Sequence, residues 1–299
     1  MVVNPRAGGG EARGRLGELG RVLGRHFPAW EMHLTARPGH ATRLVQEAVA
    51  RGATTLLSVG GDGTHHEVTQ GLMTPEAEGV QLGVLHAGTG GDFRRNLRHA
   101  SWEAALEAMV SLPPRRIDVG QARFVSDAGE PTARWFLNVA SAGLSGSVDR
   151  AVNAGSKALG GTASFVLGTL QALRHHKAPN ARVTLDGVVV HDGALHLALA
   201  CNGRWAGGGM MFAPEAVLDD GQLDVVLLRG DRLGTVVRAM PDVYRGAHLR
   251  HPEVLLLRGR EVVIDTADPC PLDLDGESPG SAPVTFTVHP GRIPLLGLA

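Results

Sequence analysis

The chain has 299 residues, 43% hydrophobic and 20% charged, with a formal net charge of −1. That is enough for one large or two ordinary domains with real cores, and it excludes a disordered or collagen-like chain. The near-neutral balance supplies no global attraction to nucleic acid, no run of about 18 apolar residues marks a transmembrane helix, and Met1-Val2-Val3-Asn4-Pro5 lacks the basic and apolar regions of a signal peptide. Cys201 and Cys270 are the only cysteines and have no partners at metal-ligand spacing, which fits free thiols in a reducing compartment; a cytoplasmic protein is expected.

In chain order, Val2-Val3 reads as the tail of a short first strand, short enough to suggest that the chain begins inside it. Asn4 to Gly10 is a loop, and a helix is predicted from about Glu11 to Phe27, with Leu16, Leu19, Leu23 and Phe27 on one face and Pro28 ending it. Met32 to Thr35 reads as a second strand, and the Pro38-Gly39 turn leads into a helix carrying Leu44, Val45, Ala48 and Val49. Leu56 to Val59 reads as a buried strand, His65 to Leu72 as a helix, and Val80 to Leu85 as another strand. Ser101 caps a helix running through Met109, closed by Pro113-Pro114. This alternation predicts a parallel sheet with helices on both faces. After Ile117 the texture changes. Strands are predicted at Phe124-Val125, Trp135 to Ala140, Arg182 to Val190, Leu195 to Ala200, Leu223 to Leu228, Val254 to Leu257, Val262 to Asp265 and Val284 to Val288. Helices are predicted around Ser147 to Leu159, Thr162 to His175 and Asp231 to Met240. Short strands separated by turns predict a mainly antiparallel sandwich. No amphipathic stretch announces membrane docking.

Two glycine loops carry the chemistry. Gly60-Gly61-Asp62-Gly63-Thr64 follows a strand and opens a helix, an arrangement that presents bare backbone N–H groups to an anion. Asp62 would repel a phosphate unless a Mg²⁺ or a donor hydroxyl lay between them; the plainer alternative is a tight turn with Asp62 as a helix cap. Gly88-Thr89-Gly90-Gly91-Asp92 also follows a strand, so both loops fall at the carboxyl edge of a parallel sheet, where ligands bind. Arg94 and Arg95 follow and either neutralise phosphate or form a solvated face. Neither loop ends in Gly-Lys-Ser/Thr, and Gly61-Asp62-Gly63 lacks the third glycine of a dinucleotide fingerprint, so the cradle is of another type. The histidines His65-His66, His175-His176 and His191 with His196 lack a convincing spacing for a shared metal.

Four blocks, Asn4-Pro5-x-x-Gly8, Gly60 to Val68, Gly88 to Arg95 and Asp275-Gly276-Glu277, together resemble the bacterial diacylglycerol kinase and lipid kinase family, relatives of sphingosine kinases. Weaker blocks lie between, at Asn202 to Gly209 leading to Pro214 and at Asp219 to Asp224. The resemblance implies an α/β protein with a doubly wound, phosphofructokinase-like nucleotide domain over 1–116 and a β-sandwich substrate domain over 117–299, its C-terminal tail packing back on the first. It implies transfer of the ATP γ-phosphoryl group to a lipid hydroxyl at a membrane surface, with no nucleic-acid partner, peripheral membrane association and a homodimer. By that resemblance Asn4, Thr35, Gly60, Gly61, Asp62, Gly63, Thr64, His65, His66, Gly88 and Thr89 contact ATP. Asp62, Asp92 and Asp118 hold the nucleotide Mg²⁺ through water, and Arg95 lies near the transferring phosphate. Asp275 and Glu277 face the acceptor hydroxyl, with Glu277 favoured as base; a carboxylate must reach the hydroxyl it deprotonates. Asp275-Gly276 is equally an ordinary hairpin turn. A structural cation is implied at Asp220 with the carbonyls of Val217 and Gln222, where a plain turn is the alternative. Gly91 stands where the family usually has asparagine, His86 where proline is common, and His40 where an aspartate often follows the turn. Two other functions fit the Gly-Gly-Asp-Gly block: an NAD kinase, against which Asn202-Gly203 speaks, and a nucleotide- or lipid-binding regulatory protein without turnover.

Overall fold

The computed structural model describes residues 1–27, 29–88, 90–154, 168–169, 171–174 and 176–298. They form two compact units: Met1–Val119 with Gly207–Gly209 and Pro290–Ala299, and Gly120–Ala206 with Met210–His289.

In the first unit, β1 (Val2–Val3) is followed by α1 (Glu11–Gly14) and α2 (Leu16–His26). The single helix expected over 11–27 is therefore two. It breaks at Arg15, whose guanidinium leaves the helix to meet Glu18 and Glu103 and to lie 4.2 Å over the Trp102 ring. Then come β2 (His33–Leu34), α3 (His40–Ala50), β3 (Thr55–Gly60), α4 (Asp62–Leu72), β4 (Gln81–His86), α5 (Asp92–Leu97) and α6 (Trp102–Ser111). Ser101 Oγ accepts the Ala104 N–H at 3.2 Å, the expected cap of α6. The strands run parallel in the order β2-β1-β3-β4, and the chain's end joins beyond them, Leu295 pairing Leu82. Alternation along β1, β3 and β4 sends Val3, Leu57, Val59 and Leu85 to the face covered by α2 and α6, while α3 packs on β1 and α4 on β3. The sheet is doubly wound, and both sides of its strands are apolar because both are covered.

The second unit is antiparallel. Its strands are β5 (Arg115–Ser126, which starts in the first unit), β6 (Pro131–Phe136), β7 (Val139–Gly143), β8 (Asn180–Leu185), β9 (Val188–Cys201), β10 (Trp205–Ala206), β11 (Met210–Met211), β12 (Leu223–Arg229), β13 (Val254–Gly259), β14 (Glu261–Asp265), β15 (Leu272–Leu274) and β16 (Gly280–Leu295). One sheet is β13-β12-β9-β7-β15 and the other β8-β14-β16-β5-β6; β9 spans both, its first half pairing β8 and its second half β12 and β7. Leu223, Val225 and Leu227 of β12 face the layer between the sheets, while Val226 and Leu228 face a second apolar layer under α7 (Leu144–Ala154) and α8 (Leu233–Val243). That double burial explains why β12 reads as continuous apolar sequence from Val225 to Leu228.

Two expected strands are split. Arg182-to-Val190 turns at Asp186-Gly187, both at positive φ, a two-residue hairpin that the dipeptide itself favours. Trp135-to-Ala140 breaks at Leu137-Asn138, where a side chain takes the backbone donors. The helix expected at Asp231 to Met240 runs instead from Leu233 to Val243 through Pro241, and α7 begins at Leu144 rather than Ser147. Of the helix expected over 162–175, residues 168–169 and 171–174 are described and helical; Pro28 lies outside the described residues. Both cysteines are free and buried, and among the described residues no helix is long and apolar enough to cross a membrane.

Candidate active site

Parallel pairing aligns the carboxyl ends of β1, β2, β3 and β4, with Val3 beside Leu34 and Val59, and Gly60 beside His86. Asn4, Thr35, Gly61 and Ala87 therefore leave the sheet at one edge. Strand order reverses at β1, which places β2 on one side and β3 on the other, and such a switch point opens a crevice for a ligand. Asn4 Nδ2 donates to Thr64 Oγ1 at 3.3 Å, joining the first block to the second. Thr64 in turn crowds Gly60, where any Cβ would strike the threonine side chain, so that glycine is required by close approach. Gly61 is extended and its carbonyl accepts the N–H groups of Thr64 and His65 at 2.9 and 3.1 Å, starting α4. Gly88 comes back against Gly8, within 3.5 Å of its nitrogen for a built Cβ. Thr89 lies outside the described residues.

Asp62 does not cap its own helix. Its carboxylate accepts from Gly91 and Asp92 at 3.1 Å each and from Phe93 at 3.3 Å, so it caps α5 and ties the second glycine loop to the first. Glu67, on the same helix, does the same for α3, accepting from Gly39 at 2.8 Å and Ala41 at 2.9 Å. Glu67 was missed in the sequence because its partners lie far along the chain; its place one turn beyond the glycine loop is the only local signal. Asp92 is buried, accepts the Gly208 N–H at 2.7 Å and lies 3.5 Å from Arg95 Nε. Burial, then the neighbouring Asp62 charge, pushes its carboxyl above the ordinary range. Two adjoining carboxylates, one of them buried, form a hard-oxygen set that suits a divalent cation, and the charge of such an ion would relieve their repulsion. Asp118 is buried and accepts the Gly291 N–H at 2.8 Å. Among the described residues no three acidic, histidine or cysteine side chains converge closely enough to ligate one ion directly.

The side chains of His65 and His66 point inward, so an ATP contact at these positions would be made by their backbone. His65 is buried with Nδ1 2.7 Å from Ser58 Oγ, and His66 is buried with Nε2 3.4 Å from Gln70. Both sit on the inner face of α4, where the core claims them. Gly91 and His86, the two departures in the second loop, explain each other. Gly91 has φ +80, and a Cβ there would meet the His86 ring at 2.8 Å. The imidazole fills the space an asparagine side chain would need.

In the second unit, Asp275 and Gly276 both have positive φ, and Leu274 and Glu277 exchange backbone hydrogen bonds at 2.8 and 3.0 Å, so the pair is a tight hairpin turn. The turn is also a clamp. The Asp275 carboxylate accepts from Leu137, Asn138 and Val139 at 2.8, 2.9 and 3.0 Å, which interrupts the strand there. Glu277, two residues on, is exposed. Of the two candidate bases, Asp275 is engaged by backbone donors and Glu277 is exposed. The following segment is held by Arg150 of α7, which donates to Ser278 Oγ at 3.1 Å and to the Gly280 carbonyl at 3.0 Å. At the turn named as a cation site, Asp220 Oδ1 accepts the Gln222 N–H at 3.0 Å, and Val217 is exposed beside it.

Asp149, next to Arg150, is hydrogen-bonded to Asp273. Burial and then the Glu277 charge push the Asp149 carboxyl up to about 6, and burial and then Asp149 push Asp273 well above the ordinary range. Two hydrogen-bonded carboxyls need one proton between them. In the folded chain both carboxyls hold protons that the unfolded chain releases near pH 4; Asp149's part of this stabilisation is complete below that pH and is lost as pH rises through about 6, and Asp273 keeps its proton to higher pH. Asp149→Asn supplies a permanent donor to Asp273. Relative to wild type, the variant is expected to gain thermal stability as pH goes from about 5 to about 8. Melting curves that shift equally at both pH values would refute the proton held by Asp149.

Residues 1–122 match the model of the diacylglycerol kinase catalytic domain, and residues 138–297 that of the YegS C-terminal NAD kinase beta sandwich-like domain. The chain is 30% identical to the "Probable lipid kinase YegS-like" of Pseudomonas fluorescens, covering 92% of this chain and 91% of that protein. It is 28% identical to the diacylglycerol kinase of Bacillus subtilis, covering 85% and 81%. A diacylglycerol kinase crystal structure from Bacillus anthracis shares the fold, with a TM-score of 0.76, 24% identity and coverage of 99% and 95%.

Proposed function

Because this chain belongs to the family of diacylglycerol kinases and YegS-like lipid kinases, it is a phosphotransferase with an alcohol acceptor, and we propose that it moves the γ-phosphoryl group of ATP to a lipid hydroxyl. The observation that carries the nucleotide half of this reading is the Gly60–Thr64 turn at the carboxyl edge of β3, beside the switch point and backed by Asn4. Backbone N–H groups of that turn and of the Gly88 loop hold the phosphates; Thr35 and Asn4 border the same edge. Asp62, Asp92 and Asp118 would hold Mg²⁺ through water, and the ion would supply charge neutralisation to the nucleotide's phosphates. Arg95, exposed and anchored by Asp92, adds a positive charge for the transferring group. On the acceptor side, Glu277 takes the proton of the attacking hydroxyl, and Asp275 sets the turn that presents it.

An NAD kinase reading has less support. Its gripping asparagine would be Asn202, but that residue is buried and its amide donates to the Leu137 carbonyl at 2.8 Å. The test is transfer of label from γ-labelled ATP, with Mg²⁺, to a panel of lipids in mixed micelles and to NAD in parallel. Label in an organic-soluble lipid is expected. Label in NAD would replace the proposal, and nucleotide binding with label in neither acceptor would favour a protein that binds without turnover.

A further inference from the structure

Helix α8 is apolar on two opposite faces. Thr235, Val236, Ala239 and Val243 are buried, with Val236 in the apolar layer beneath β12. At 100° per residue, Leu233, Val237, Pro241 and Tyr244 form a stripe on the other side. Leu233, Val237 and Tyr244 are 37%, 57% and 54% exposed. A packed helix has no need of a second apolar stripe if it meets only water. Arginines border the stripe: Arg232 at the N-terminus of the helix, and Arg238 and Arg245 along one flank, all exposed. None of the three has an ion-pair partner among the described residues; Arg238 donates to the Gly234 carbonyl of its own helix. The one carboxylate within α8, Asp242, is turned to His251 at 2.9 Å, and Asp231 is exposed just ahead of the helix.

We propose that this face docks on an anionic lipid bilayer, with the apolar stripe at the headgroup boundary and the arginines on lipid phosphates. The proposal rests on the lipid kinase reading, which requires the protein to reach an acceptor held in a bilayer. Net charge does not favour that approach, since the whole chain carries −1, so attraction must come from a local cluster of one sign. Apolar side chains flanked by arginines are the composition that an interfacial helix uses, and a tyrosine at one end suits the boundary between lipid and water. The sequence hides this surface because the buried and exposed stripes together make α8 look uniformly apolar.

The full chain is sedimented with vesicles of phosphatidylcholine, alone or mixed with phosphatidylglycerol, and assayed in parallel for lipid phosphorylation in detergent micelles. The wild type is expected to pellet with the mixed vesicles and not with the neutral ones. Arg238→Gln with Arg245→Gln should weaken partitioning roughly 25-fold, about fivefold per arginine. Val237→Ser with Tyr244→Ser should weaken it as well, with the melting temperature and micelle turnover of both variants unchanged. A wild type that phosphorylates lipid in micelles yet ignores anionic vesicles would overturn the docking face and leave the kinase reading intact. Equal vesicle binding by the variants would also overturn it, as would a variant that turns a dimer into monomers without losing vesicles. Vesicle binding lost in the variants, in a protein that phosphorylates no lipid, would uphold the surface and defeat the kinase reading instead.

Discussion

Glu277→Gln is expected to lower turnover by about 10²- to 10⁴-fold while leaving nucleotide affinity unchanged. Glutamine keeps the size and the hydrogen-bonding reach of the side chain and removes only its ability to accept a proton. The residue is exposed and follows a turn whose backbone is fixed by two hydrogen bonds to Leu274, so the substitution leaves the local fold alone. Asp275→Asn is different in kind. It places an amide against three backbone donors, at Leu137, Asn138 and Val139, and is expected to act through stability. Turnover and nucleotide affinity measured on both variants, with their melting temperatures, separate the two roles. Near-normal turnover in Glu277→Gln would remove it as the base.

Asp62→Ala should abolish turnover and also cost the first unit about 1–3 kcal/mol, because three backbone N–H groups at the start of α5 lose their acceptor. The two effects share one cause. The carboxylate holds the Gly88–Asp92 loop against the Gly60–Thr64 turn, and without it neither loop keeps the shape in which its N–H groups converge. Asp62→Asn should recover part of the stability through its remaining oxygen and little of the activity, since the charge beside Asp92 is gone. Thermal melts with and without ATP and Mg²⁺ provide the check. Full activity in the alanine variant would defeat the assignment of this turn to the nucleotide.

The sequence by itself determined the parallel half of the fold and the places where chemistry is offered. Strand, glycine turn and helix are local patterns, set by periodicity and by residues without a Cβ, and β3-Gly60-α4 and β4-Gly88-α5 follow them. The Asp275-Gly276 turn was equally legible, because two residues at positive φ favour that dipeptide. Only the tertiary structure decided what the charged side chains do. Asp62 caps a helix that begins 30 residues later, Glu67 caps one that begins 27 residues earlier, and Asp275 holds backbone 136–138 positions away. A carboxylate bonded to a distant N–H leaves no local trace, since its partner is a backbone group that every residue carries. His86 and Gly91 are a second instance: a ring and a missing Cβ fit each other across a turn that no spacing rule describes. Burial settled the rest, sending the His65 and His66 side chains inward and leaving Glu277 outside, because which face of a helix or hairpin meets the core depends on the elements packed against it.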